Sequence, residues 1–272
     1  MGVRALVNSY WQMTADPFAA NARSTYNFES EDYKNCVSRL DYLLMQKGFG
    51  LITGPSGTGK TSTFQTFTGR LNKNLYKVSY SPMSSLTTMD FYRNMAFNLD
   101  LEPAHKKVDI FRQIQDRIMV LSKEKRVTPV FILDEAQYFN TTILNDLKLI
   151  FNFDMDSIRP AVVVIAGLPT LIGTLIKNVH EAIVQRIIVN YRFTGLSRAE
   201  TEDYIVNALK SVSASPSIFQ PAAIEALYAG CDGSIRKLNG IISTALLIGE
   251  QRNLPAIDTD TVMLAINERV AA

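Results

Sequence analysis

The chain of 272 residues has few of the side chains that build metal cages and disulfide frameworks: two cysteines, Cys36 and Cys231, and two histidines, His105 and His180. The cysteines lie far apart with no CxxC partner, which excludes a thiolate zinc cage and fits a reducing compartment. Neither histidine stands with acids at metal-ligand spacing, so both read as surface or packing residues. No run of about 18 apolar residues occurs, which excludes a hydropathic membrane span. The opening stretch MGVRALVNSYWQMTADPF is too often interrupted for a signal peptide, and Leu6 stands where a myristoylation site wants Ser or Thr. The expectation is a soluble, cytoplasmic protein. A large charge of one sign is also missing. The 28 Lys plus Arg against 26 Asp plus Glu leave a formal +2, so the chain is no polycation, and any nucleic-acid contact must be local.

The chain is 47% hydrophobic and 20% charged, enough for a sizeable core in one large domain or two smaller ones. Its nine methionines are scattered as core filler. No Ser/His/Asp or Cys/His hydrolase pattern is present. Tyr33, Val37, Leu40, Leu43 and Leu44 recur at helical spacing over 29–47. The short apolar run 48–53 reads as a strand, and 60–72 as a helix. A second strand is expected over 75–80 and helices over 89–99 and 108–125. Further strands fall at 129–133, 160–166 and 187–193, with a helix over 140–151. Apolar strands separated by helix-length segments argue for a parallel sheet covered on both faces. Beyond Gly195 the pattern becomes helical, with starts at Ser197, Pro221, Gly233 and Asp258. Residues 195–272 hold 6 basic and 9 acidic side chains (−3), leaving 22 basic and 17 acidic (+5) for residues 1–194. The division expected is therefore 1–194, an α/β nucleotide domain with an N-terminal extension, and 195–272, a helical lid.

Gly54-Pro55-Ser56-Gly57-Thr58-Gly59-Lys60-Thr61 matches GxxxxGK[ST] in full, between a predicted strand and a predicted helix, with Ser62 next in the helix. Its glycines let consecutive backbone N–H groups converge on phosphate oxygens, and the helix start adds its positive end. Lys60 supplies a point charge for the β and γ phosphates, and the Thr61 hydroxyl suits Mg²⁺. Seventy residues on, Val130-Phe-Ile-Leu-Asp134-Glu135 is an apolar strand ending in two acids. Asp134 is placed to hold Mg²⁺, and Glu135 to polarise an attacking water as general base. Arg236, just inside a predicted helix start, is a candidate for a γ-phosphate contact. Arg186, before the last predicted strand, is a candidate arginine finger acting on a neighbouring copy.

This constellation resembles the AAA+ ATPases, and within them a bacterial group similar to the ExeA/general secretion protein A ATPase domain and the transposition ATPases of the TniB and TnsC kind. The residues that carry the resemblance are Asp16-Pro-Phe18, the phosphate loop, Leu133-Asp-Glu-Ala-Gln137, Ala166-Gly-Leu-Pro169, Gln185-Arg-Ile187, Leu196-Ser-Arg-Ala-Glu-Thr201 with Tyr204, and Gly233-Ser-Ile-Arg236. It implies a P-loop three-layer sandwich with a five-stranded parallel sheet, the sensor-1 strand between the two Walker strands, and a helical lid. It also implies Mg²⁺-dependent ATP hydrolysis and assembly into a ring or filament, and it places Asp16-Pro-Phe18 beside the adenine. One departure stands out. Leu168 occupies the place where the group carries a polar sensor 1, so either Thr170 or another side chain substitutes, or hydrolysis is slow.

Three client classes follow: a regulator that assembles with ATP on duplex DNA and recruits or activates a DDE-type transposase, an ExeA-like secretion ATPase, and a signalling or defence switch without DNA. The secretion reading expects a membrane span and a cell-wall-binding extension, and the expectation favours the first class. DNA contact is then expected from residues 81–107, where Arg93, Lys106 and Lys107 accompany Ser84, Ser85, Thr87 and Thr88. Trp11 reads either as an anchor for the N-terminal segment or as a docking residue.

Overall fold

A computed structural model describes residues 3–19, 28–82, 87–155 and 157–270. Backbone contacts divide it into two compact units. One comprises residues 33–55 and 60–193, and the other residues 1–32, 56–59 and 194–272.

The first unit is built on five parallel strands: β1 (Gly48–Thr53), β2 (Tyr76–Pro82), β3 (Thr128–Asp134), β4 (Val162–Gly167) and β5 (Ile187–Arg192). Their order is β2-β3-β4-β1-β5, with β4 between the two motif-bearing strands as the resemblance implies. β4 is buried along its whole length, whereas the edge strand β5 keeps exposed positions, matching an apolar run in one and Asn190 and Arg192 in the other. Side chains two apart on a strand share a face. Phe49, Leu51, Phe131, Leu133, Val163 and Ile165 therefore join one apolar core, with Phe91 and Met95 of α4 (Thr88–Asn98), Ile110 and Ile114 of α5 (Lys107–Met119) and Leu144 and Leu147 of α6 (Thr141–Ile150). Ile52, Val130, Ile132, Val162, Val164 and Ala166 join the other, with Leu40 and Leu43 of α2 (Glu31–Gln46) and Phe64 and Phe67 of α3 (Lys60–Gly69). This is the expected helix–sheet–helix sandwich. Two short helices, α7 (Thr170–Leu175) and α8 (Glu181–Val184), bridge β4 to β5.

The second unit is helical: α9 (Arg198–Ser211), α10 (Pro221–Cys231), α11 (Ile235–Gln251) and α12 (Thr259–Val270). Local chemistry sets their starts. Ser197 and Glu200 form a reciprocal capping box, Pro221 fills the first turn of α10, and Asp258 accepts from the Thr261 amide at 2.9 Å. The third start moves one residue on from Gly233 to Ser234, whose side chain accepts from the Lys237 amide. The N-terminal extension corrects the expected division. A helix α1 (Val3–Tyr10) and Trp11 belong to the helical unit, not the α/β unit. The Trp11 indole N–H reaches the Leu246 carbonyl at 2.9 Å and its ring enters a core with Leu209, Leu238 and Ile242. That settles Trp11 as an anchor. Phe18 packs in the same core, its ring 6.4 Å from that of Tyr204. Cys36 and Cys231 are both buried and form no disulfide, and no helix among the described residues is long and apolar enough to cross a membrane.

Candidate active site

Parallel register brings the C-terminal ends of β1, β3 and β4 to one edge of the sheet. Thr53 pairs with Gly167 and Leu133 with Ile165. The phosphate loop leaves β1 here. Gly54 has no space for a Cβ, which would lie 2.5 Å from Cβ of Phe193, and Gly57 and Gly59 hold φ of +78° and +101°, a region that L side chains adopt at a cost. Lys60 opens α3 with its side chain buried. Its ammonium donates to the Gly54 and Pro55 carbonyls at 2.7 and 2.8 Å. These two bonds satisfy the buried ammonium at the start of the loop.

Beside it, β3 delivers Asp134, 2% exposed. Oδ2 accepts from the Thr61 hydroxyl at 3.0 Å and the Tyr80 hydroxyl at 2.9 Å, and Oδ1 accepts from the Glu135 amide at 2.9 Å. The Thr61 hydroxyl and the Asp134 carboxylate are hard oxygen donors in mutual contact, a set that suits Mg²⁺. Among the described residues no cluster of three or more His, Cys, Asp or Glu gathers to hold a metal by protein ligands alone. Tyr80, on β2, is held in its neutral form. Partial burial is the main cause and the neighbouring Asp134 charge the second, so its hydroxyl stays a donor.

Glu135 follows in the left-handed region, φ 58° and ψ 32°. This reversal at the strand end leaves the side chain exposed while Asp134 stays buried. One carboxylate oxygen accepts from Gln137 Nε2 at 2.6 Å, and Gln137 Oε1 accepts from the Leu168 amide at 3.0 Å. Thr170, the other candidate at sensor 1, starts α7 and is exposed.

In the unit containing residues 56–59 and the helices, Arg236 reaches the phosphate loop. Its guanidinium donates to Ser56 Oγ at 3.1 Å, its amide to the Gly57 carbonyl at 3.3 Å, and Ser234 Oγ to the Ser56 carbonyl at 3.2 Å. A Cβ on Gly57 would lie 2.4 Å from Ser234 Oγ, so the close approach requires glycine. Thr58, buried, and Ser62, in the first turn of α3, complete the loop.

The remaining candidates lie elsewhere. Arg186 donates to the Lys148 carbonyl at the end of α6, 2.6 Å. It lines a cavity of about 280 Å³ with Phe49 and Arg159 at the start of β1, the opposite end of that strand from the phosphate loop. It is not gathered with Lys60 and Asp134, as a residue serving a neighbouring copy need not be. Arg93 and Lys106 are exposed. Lys107, also exposed, pairs with Asp146 at 2.6 Å and sits 5.2 Å from the Tyr92 ring centre. Ser84 and Ser85 lie outside the described residues, while Thr87 caps α4. Tyr80 and Gln137 are site residues the sequence reading assigned no role. The DEAQ string contains one of them, but nothing in its spacing shows what the amide touches.

The comparisons agree with this geometry. Residues 43–175 match the family model described as an AAA domain. The chain is 27% identical over 268 residues to the general secretion pathway protein A of Aeromonas hydrophila, covering 97% of this chain and 48% of that protein. It therefore spans about half the length of this curated relative. Among solved structures, Cdc6p of Pyrobaculum aerophilum superposes with TM-score 0.70 at 14% identity, over 93% of this chain and 70% of that one. The ORC1 protein of Aeropyrum pernix in complex with DNA gives 0.66 at 15%, over 93% and 68%. The RuvB Holliday junction branch migration motor of Thermotoga maritima gives 0.56 at 18%, over 88% and 68%. Fold, phosphate loop and acidic strand end are those of a P-loop ATPase, with residues 43–175 similar to the AAA domain and the chain similar to general secretion pathway protein A along nearly its whole length.

Proposed function

We propose that this ATPase assembles on duplex DNA in its ATP-bound state and recruits or activates a DDE-type transposase there, in the cytoplasm. The chemistry follows from the chain's own residues. Loop amides and Lys60 bind the phosphates, and Glu135 accepts a proton from the water that attacks the γ-phosphorus, so that the bond to the β,γ-bridging oxygen breaks and ADP leaves with inorganic phosphate. Mg²⁺, held through Thr61 and Asp134, would neutralise charge on the β and γ oxygens. Arg236, on Ser56, would register whether the γ-phosphate is present, and Arg186 would complete the site of a neighbouring copy in a ring or filament.

The observation that carries the DNA reading is the match over 93% of the chain to an ORC1 structure determined on DNA. The +5 charge of residues 1–194 and the exposed Arg93 and Lys106 support it. Binding is expected to require ATP, to be nearly independent of sequence and to weaken steeply with salt. Electron microscopy with a non-hydrolysable ATP analogue, with and without duplex DNA, tests this. DNA-wrapped oligomers support the reading, and nucleotide-bound monomers that ignore DNA overturn it. A second reading, a secretion-associated ATPase, is favoured by the match to general secretion pathway protein A along nearly the whole chain. It predicts nucleotide-dependent assembly with no DNA requirement.

A further inference from the structure

The unusual Leu168 directs attention to what its backbone does. The Gly167–Leu168 peptide is used at both ends: its carbonyl accepts from the Gly54 amide at 3.2 Å, and its N–H donates to Gln137 Oε1 at 3.0 Å. The other end of the same amide, Nε2, donates to the Glu135 carboxylate at 2.6 Å. A single unbroken line of hydrogen bonds therefore runs from the first residue of the phosphate loop, through one peptide plane and one side-chain amide, to the general base. Each bond in such a chain polarises the next. The orientation of the Gln137 amide is dictated: its oxygen must face the peptide N–H and its nitrogen must face the carboxylate, since the reverse would set two donors and two acceptors against each other. The backbone is shaped for this contact. A Cβ on residue 167 would lie 2.5 Å from Gln137 Oε1, so glycine at the end of β4 is what lets the amide seat.

We infer that Gln137 is the positioning residue that orients Glu135 for catalysis, carrying from the β3–β4 edge the polar role that Leu168 leaves vacant. It needs no contact with nucleotide: it acts through the carboxylate it holds, and through the Gly167–Leu168 peptide it ties the placement of that carboxylate to the start of the phosphate loop. The inference rests on ATP hydrolysis at this site and not on any client.

Nucleotide binding and turnover, measured separately, provide the test. Gln137→Ala should lower kcat at least tenfold, a part of the roughly 10²–10⁴ that a positioned base supplies, with KM and ATP affinity within twofold of wild type. Gln137→Glu keeps the chain length and an oxygen for the Leu168 N–H but turns the group facing Glu135 from donor to acceptor. Its kcat should fall as far. In a Glu135→Gln background, Gln137→Ala should cause no further loss, because the carboxylate it orients is already gone. Wild-type turnover in Gln137→Glu would overturn the inference, as would a full additional loss on top of Glu135→Gln. If Gln137→Ala does not fold, the same-length Gln137→Glu variant decides alone. Loss of ATP affinity in these variants would also overturn it by marking Gln137 as part of nucleotide binding, whereas absence of hydrolysis in the wild-type protein would be a failure of the ATPase assignment itself.

Discussion

Asp134 takes three hydrogen bonds on two oxygens, and its partners are not equivalent. The Thr61 hydroxyl has a second task, since its oxygen lone pairs can serve a cation while its proton stays on the carboxylate, whereas Tyr80 only donates and keeps Asp134 aimed. Tyr80→Phe removes that bond without changing ring packing. The cost is about 1 kcal/mol, so the Mg²⁺ concentration for half-maximal hydrolysis should rise roughly fivefold with little change in ATP affinity at saturating Mg²⁺. An unchanged Mg²⁺ dependence would remove Tyr80 from the site. His180 offers a different kind of check. It is 1% exposed, neither ring nitrogen has a hydrogen-bond partner among the described residues, and burial, with Lys177 adding to it, holds its pKa below the usual 6.5. A base depressed in the folded state takes up its proton more readily when unfolded, so the native state keeps its full stability above about pH 6.5 and loses some as pH falls below it. Replacement by leucine, which has no nitrogens to leave unsatisfied, should be neutral or stabilising at pH 7.5 and should reduce the Tm loss between pH 7.5 and 5.5. An identical pH dependence in wild type and His180→Leu would show that this ring does not contribute.

Single elements show where sequence patterning succeeds and where distance defeats it. The run 48–53 reads as a strand because it is apolar and bounded by Lys47 and the glycine loop, and β1 occupies the same residues. The phosphate loop and Asp134-Glu135 were legible for a related reason: each is contiguous, and its flanking strand and helix are local. Helix α1 was not, since it is short and the groups that Tyr10 and Trp11 bond to lie more than 200 residues away, at Leu254 and Leu246. Tyr80 and Gln137 escaped for the same cause on a smaller scale. Each meets its partner only when β2, β3 and β4 align, at separations of 54 and 31 residues. Lys107 was legible as an exposed basic side chain, but its ion pair with Asp146, 39 residues on, was not. The anchoring of α1 is testable through Trp11, the single tryptophan. Trp11→Ala should cost the helical unit about 3–5 kcal/mol, measured by denaturant unfolding followed by circular dichroism. A loss under 1 kcal/mol would mean the segment is not integral to that core.

The near-neutral charge of the whole molecule is the sum of +5 over residues 1–194 and −3 over residues 195–272. Within the helical unit, residues 56–59 gather with the helix that carries Arg236. The most direct measurement is ATP binding by calorimetry together with phosphate release, on wild type, Lys60→Ala and Glu135→Gln. The account predicts Mg²⁺-dependent binding and release in wild type, loss of binding in Lys60→Ala, and retained binding with release slowed roughly 10²–10⁴-fold but still measurable in Glu135→Gln. ATP affinity unchanged in Lys60→Ala would contradict it.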